Sequence, residues 1–147
     1  MKLHNVSHNA RALTAEEIDE LLGGAVLARI ATVRADGRPH IAPMWFLYRD
    51  GLFYFMQRKN AAKQKIVNIQ GNPNVAITID TCSPPYLGVI VEGNAEVTEE
   101  RASEIALAIA IKYQGEDAGR ETHRALTAES PLWLIRVTPA KFMHYRI

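Results

Sequence analysis

The sequence predicts a mainly β chain, an antiparallel barrel of five or six strands with helical additions. Three observations predict it. Two Asp-Gly pairs, Asp36-Gly37 and Asp50-Gly51, separate runs rich in β-branched and aromatic residues, and Asp-Gly accepts the positive φ of tight hairpin turns. The first three runs are joined by turns alone, whereas a parallel sheet needs a crossover of a dozen or more residues between strands. Finally, the stretch from Gly88 to Val97 alternates with period two. Val89, Val91, Ala95 and Val97 fall on one face, and Glu92, Asn94 and Glu96 on the other.

Each element follows from local chemistry. Thr14-Ala15-Glu16-Glu17 has capping-box spacing, in which hydroxyl and carboxylate satisfy free backbone N–H groups, and Ile18, Leu21 and Leu22 recur at helical intervals before Gly23-Gly24 ends the helix. Residues 25–33, 39–48 and 52–56 read as three successive antiparallel strands, a meander. Residues 61–70 read as a short helix carrying Lys63, Lys65, Ile66 and Ile69, ended by Gly71-Asn72-Pro73. Residues 74–80 form a fourth strand. Cys82-Ser83-Pro84-Pro85-Tyr86 is a rigid loop, because two prolines fix φ and withdraw two donors. A fifth strand spans 88–97, helices span 99–113 and 116–128, and residues 131–137 and 142–145 supply a last strand or two. With no internal repeat, low-complexity tract or linker, residues 1–147 are expected to form a single domain.

Composition narrows the function. Of the 147 residues, 48% are hydrophobic and 22% charged, with a formal net charge of +1, the profile of an ordinary globular chain with one core. Near neutrality gives no basis for bulk nucleic-acid binding. The lone Cys82 excludes an internal disulfide, and no cation adjoins it to activate the thiol. The N-terminal residues lead into polar sequence rather than an apolar leader. The apolar runs around Ile30 and Trp45 are broken by Arg29, Arg34, Asp36 and Arg38, far short of the roughly 20 residues of a membrane helix. A cytoplasmic location without a membrane partner is expected.

Several chemistries lack their signatures. No G-x-S-x-G elbow, H-E-x-x-H, paired cysteines, G-x-x-x-x-G-K or strand-borne G-x-G-x-x-G occurs. His4, His8, His40, His123 and His144 are scattered with no carboxylate sharing a helical face, so no metal is expected. Two arrangements remain. Arg58, Lys59, Lys63 and Lys65 gather around the start of a helix, where free N–H groups already favour an anion; read alone, the set fits a phosphate seat or a solvated basic face. Pro43-Met44-Trp45-Phe46 places a proline within a strand, which must then be open or at an edge. That leaves backbone groups for a planar ring, or marks Trp45 and Phe46 as core residues of an edge strand.

Taken in order, Arg29-Ile30-Ala31-Thr32-Val33, Asp36-Gly37-Arg38-Pro39-His40, Pro43-Met44-Trp45-Phe46, Asp50-Gly51-Leu52-Phe53-Tyr54-Phe55, Lys65-Ile66-Val67-Asn68-Ile69 with Asn72-Pro73, Pro84-Pro85-Tyr86-Leu87-Gly88-Val89 and Val91-Glu92-Gly93-Asn94-Ala95-Glu96-Val97 resemble the pyridoxamine 5'-phosphate oxidase-related, FMN-binding split-barrel family. The resemblance implies a six-stranded antiparallel Greek-key split barrel and a homodimer with FMN in clefts between subunits. It assigns Ala31, Thr32, Pro43, Met44, Trp45 and Phe46 to the isoalloxazine ring. Gln57, Lys63 and Lys65 fall to the phosphate, and Tyr86, Trp133 or Tyr145 to closure by the partner subunit.

Departures refine it. Relatives with Ser-Arg-Lys or Thr-Arg-Lys align with Lys63-Gln64-Lys65, so Lys63 is expected to replace a lost arginine charge. The C-terminal Trp-Gly-Gly-x-Arg segment of true pyridoxamine-phosphate oxidases is absent, which argues against vitamin B6 oxidation. Pro84-Pro85-Tyr86-Leu87-Gly88-Val89 and Ile109-Ala110-Ile111-Lys112-Tyr113-Gln114-Gly115 resemble a branch that includes reductases using a deazaflavin coenzyme of the factor 420 type. Arg58 and Lys59 are available for its longer anionic tail. The resulting expectation is a flavin-dependent oxidoreductase acting on a small conjugated or aromatic substrate. The alternatives are a deazaflavin-dependent reductase, a non-catalytic flavin carrier or sensor, and a barrel that has lost its ligand. No catalytic side chain is assigned, and His40 and Tyr54 are proton donors only if they face the ring.

Overall fold

The structure, a computed structural model, describes residues 10–61 and 63–147. His4, His8 and the N-terminal stretch, together with Ala62 of the expected helix 61–70, lie outside the described residues. Helix α1 (Ala15–Gly23) opens with the expected capping box: the Glu17 N–H donates to Thr14 Oγ1 and the Thr14 N–H to the Glu17 carboxylate. Strands β1 (Ala28–Val33) and β2 (Pro39–Met44) form a hairpin turned at Gly37, whose φ is 86°. Strands β3 (Leu47–Arg49) and β4 (Leu52–Arg58) form a second, with Asp50 and Gly51 at φ 53° and 77°, the positive pair that Asp-Gly was expected to supply.

The remaining elements are α2 (Gln64–Gly71), β5 (Asn74–Asp80), β6 (Leu87–Thr98), α3 (Ala102–Gln114), α4 (Glu116–Glu129) and β7 (Leu132–Arg146). All seven strands join one antiparallel sheet in the order β2-β1-β5-β6-β7-β4-β3. Two expectations are corrected here. The sheet has seven strands rather than six, and the first three runs do not form a meander: residues 39–48 break at Trp45-Phe46 into β2 and β3, which occupy opposite ends of the sheet. Conversely, the two stretches 131–137 and 142–145 merge into the single strand β7 (Leu132–Arg146). Pro139 is tolerated because the register shifts there: Gly93 pairs with Pro139 and Glu92 with Lys141, leaving Ala140 as the extra residue of a bulge. Gly93 is required at that bulge, since a Cβ on it would lie 2.4 Å from the Thr138 carbonyl oxygen.

The sheet must curl, because residues from distant strands share one core. Ile30 of β1, Ile77 of β5, Val91 of β6, Val137 of β7 and Phe53 of β4 belong to a single buried cluster, which α1 and α2 join through Leu21, Leu22, Ile66 and Ile69. A second cluster lies on the other face of β4, where Tyr54 and Leu134 meet Ile105 and Ile109 of α3. The fold is thus mainly β, a curled antiparallel half-barrel with four helices. Among the described residues, no helix is long and apolar enough to cross a membrane.

Candidate functional site

The β1–β2 hairpin and α2 are joined by polar side chains rather than by apolar packing alone. Asn68 Nδ2 donates to Thr32 Oγ1 at 2.9 Å, and Gln64 Nε2 donates to Asn68 Oδ1 at 2.7 Å. Thr32 and Asn68 are both buried. This chain fixes the start of α2 against the end of β1, with His40 directly across the ladder from Thr32. Residues directly opposite in an antiparallel pair point to the same face. A groove of about 430 Å³ on the outer face includes Ala31, Ala76 and Glu92, which lie in register across β1, β5 and β6. Two alanines side by side leave it a flat floor. At Val33 it meets a second groove, of about 490 Å³, between the hairpin turn and α2, lined by Arg34, Gln64, Val67 and Asn68.

The electrostatics of this corner are lopsided. His40 Nδ1 is buried without a partner, and its pKa falls below the ordinary imidazole value through burial, then through the positive charges of Arg34 and Lys65. The ring is neutral at pH 7. Burial also lowers the pKa of Lys65. Among the described residues, no carboxylate pairs with Arg34, Lys63 or Lys65. Positive charge without a counter-ion, beside two grooves of ligand size, can hold an anionic group.

The expected basic set is divided by the fold. Arg58 lies 3.6 Å from Glu129 of α4, and Lys59 pairs with Glu99, just before α3. The Lys59 and Lys63 ammonium groups stand 5.3 and 5.7 Å from the Trp133 ring centroid, within cation–π range. Gln57, opposite Trp133 in the β4–β7 ladder, is buried, and its Nε2 donates to the Arg58 carbonyl. Of this set, Lys65 alone contributes, through its charge, to the lowered pKa of His40.

Residues 43–46 also part company. Pro43 and Met44 sit on β2, a sheet edge, and the Met44 side chain packs against the main core. Trp45 stacks on Tyr113 at 4.8 Å and 3°. Phe46 is fully buried, its N–H donates to Tyr113 Oη, and its carbonyl accepts from Lys112 Nζ at 3.0 Å. Its side chain and both backbone groups are therefore committed to α3 and the core. Tyr86 is exposed, and its backbone exchanges two hydrogen bonds with Ile147. Tyr145 covers Gly88, where a Cβ would come within 2.3 Å of the ring. Tyr54 is buried against α3, away from these grooves. Cys82 is exposed, and among the described residues no three His, Cys, Asp or Glu side chains gather to hold a metal.

Lys112 was not singled out in the sequence, although it lies within a family-like stretch. Besides Phe46 it donates to the Leu22 carbonyl at 2.9 Å, and its ammonium lies 3.6 Å from the Phe46 ring centroid. Burial lowers its pKa to about 8. The unfolded chain keeps that proton to about 10.4, so it binds more protons than the folded state above pH 8, and stability rises with pH there. Tyr113, whose pKa is raised by burial, opposes the gain above about pH 10. Urea unfolding between pH 8 and 10 is expected to show increasing stability that Lys112→Met abolishes.

Arg34, Asn68 and Glu92 also escaped the sequence reading as site residues. An asparagine on an otherwise apolar helix face was the one available signal, since such a residue needs a partner when buried.

Comparison with known proteins places these features in context. The family model described as pyridoxamine 5'-phosphate oxidase matches residues 14–143. Among solved structures, a conserved hypothetical protein, Rv2991, from Mycobacterium tuberculosis is similar with a TM-score of 0.76 at 21% identity, over 91% of this chain and 85% of that one. An F420 reductase is similar with a TM-score of 0.66 at 25% identity, over 84% and 94%. An FAD-binding protein from Mesorhizobium loti has a TM-score of 0.64 at 22% identity, over 95% and 99%. No curated protein matches the chain.

Proposed function

Because this chain belongs to the pyridoxamine 5'-phosphate oxidase family, we propose that it is a flavin-dependent oxidoreductase that binds FMN as a homodimer and acts on a small conjugated or aromatic substrate. One observation carries the reading. Lys65, which has no carboxylate partner among the described residues, follows Gln64 at the start of α2, and Gln64 lines a groove of about 490 Å³ that adjoins a second of about 430 Å³. Lys65 holds the phosphate, while Lys63, at the same helix start, stays over the Trp133 ring. Ala31 and Thr32, with Pro43 and Met44 on the edge strand, border the ring largely through backbone groups, and Trp45 limits the cleft on the α3 side. Gln57 supports the phosphate side from the end of β4, Arg58 stays beside Glu129, and Tyr86 closes the cleft of the opposite subunit.

The chemistry a bound flavin supplies is hydride or electron transfer. The chain's part is to orient and to exclude water. The flat floor at Ala31 and Ala76 admits a planar group, while neutral His40, on the opposite face beside Thr32, keeps one buried ring nitrogen for the α2 side. Exposed Ile41 on edge strand β2 and Val67 on α2 flank this corner and support a covering second subunit.

A deazaflavin in place of FMN is the second reading, favoured by the similarity to an F420 reductase at 25% identity. Native mass spectrometry of the purified protein, followed by titration with FMN and with the deazaflavin coenzyme, tests both. A dimer mass carrying one of them is the expected result. A monomer whose absorbance and thermal midpoint ignore both ligands sinks the proposal. Turnover of a reduced nicotinamide or deazaflavin above the rate of free cofactor separates an enzyme from a carrier or sensor.

A further inference from the structure

We propose that Arg34, carried on the β1–β2 hairpin, is the second cation of the phosphate seat and sets the preference for phosphorylated over unphosphorylated ligands; the inference rests on the flavin reading above. The start of α2 has three polar side chains to offer, and the structure commits two of them elsewhere. The Lys63 ammonium lies over the Trp133 ring, and the Gln64 amide donates to Asn68 Oδ1, completing the chain to Thr32. Lys65 alone remains. A phosphate monoester carries close to two negative charges at neutral pH, which one ammonium does not balance.

Arg34 supplies what is missing. It lines the groove between the hairpin and α2, on the wall opposite Gln64 and Asn68. The hairpin holds it there rigidly: the Arg34 N–H donates to the Arg38 carbonyl at 2.9 Å, the Gly37 N–H returns to the Arg34 carbonyl at 2.9 Å, and the Arg38 N–H donates to Asp36 Oδ1. Asp36, the nearest acid in sequence, is turned toward Arg38 at 3.7 Å. Arg34 shares this groove with Gln64, the residue before Lys65, and the charges of Arg34 and Lys65 both add to burial in lowering the pKa of His40. A planar guanidinium on a fixed turn and an ammonium on a helix then approach a phosphate from two sides, and the guanidinium can donate two parallel hydrogen bonds.

The test compares FMN with riboflavin, which shares the ring and lacks the phosphate, by quenching of flavin fluorescence on wild type, Arg34→Gln and Arg34→Lys. FMN affinity is expected to fall roughly tenfold in Arg34→Gln while riboflavin affinity stays unchanged, with Arg34→Lys in between. An unaltered FMN-to-riboflavin ratio in Arg34→Gln overturns the assignment. NMR of the His40 ring during titration with inorganic phosphate gives a readout that needs no flavin. Its resonances are expected to saturate at roughly tenfold higher phosphate in Arg34→Gln than in wild type, and coincident titration curves overturn the seat. A wild type that responds to phosphate yet binds neither FMN nor deazaflavin supports the seat and overturns the flavin reading.

Discussion

Replacing Phe46 with alanine is expected to destabilise the fold by about 3–5 kcal/mol, the range for truncating a fully buried phenylalanine, and to leave the outer-face groove at Ala31 and Ala76 intact. The residue occupies the point where the chain leaves one end of the sheet, at β2, and enters the other, at β3. Its ring lies 6.1 Å from that of Phe53 and beneath the Lys112 ammonium, so truncation opens a cavity and removes a cation–π contact together. The backbone bonds to Tyr113 and Lys112 do not depend on the side chain and should survive. Urea unfolding reads the cost directly. A loss under about 1 kcal/mol, no more than the usual cost of trimming a buried isoleucine to valine, would show that the crossing is free to collapse and is not what closes the half-barrel.

How far the sequence reveals the fold depends on the range of the interactions that decide each element. The hairpins at Asp36-Gly37 and Asp50-Gly51, the capping box at Thr14 and the alternating face of β6 rest on contacts within a few residues, and the structure contains them all. The break at Trp45-Phe46 rests on something else. Residues 39–49 carry strand-compatible side chains throughout, and what ends β2 is Tyr113, 67 positions beyond Phe46, which takes the Phe46 N–H and stacks on Trp45. No local pattern announces a partner at that distance.

The same distinction governs the site. Lys65 could be named as a candidate because a cation beside the free N–H groups of a helix start has a local meaning. Arg58 and Lys59 share that meaning and yet point elsewhere, because Glu99 and Glu129, remote in sequence, compete for them. Arg34 drew notice only as a charge breaking an apolar run, and His40 only as a proton donor were it to face the ring. What sets the hairpin against α2 is the Asn68–Thr32 hydrogen bond, which spans 36 positions.

Lys65→Ala is expected to weaken FMN binding by about 1.5–3 kcal/mol, the range for a hydrogen bond to a charged group, or roughly 10–150-fold. The pH profile identifies the cause. Burial has already lowered the Lys65 pKa, so in the free protein its charge is lost at a less alkaline pH than that of an exposed lysine, and a bound phosphate must restore it. Wild-type affinity should therefore decline as pH rises through that interval, while Lys65→Ala, with no proton to lose there, stays level; Arg34 remains charged throughout and damps the decline without removing it. At the acid end the sign reverses. His40 is held neutral by burial and by the charges of Arg34 and Lys65, so deleting Lys65 raises its pKa toward the ordinary value and lets it take up a proton that partly compensates the lost ammonium. The deficit of Lys65→Ala should accordingly be smaller near pH 6 than at pH 8, measured by titration at both. A deficit of equal size at both, with a flat wild-type profile, would place the phosphate away from these three side chains.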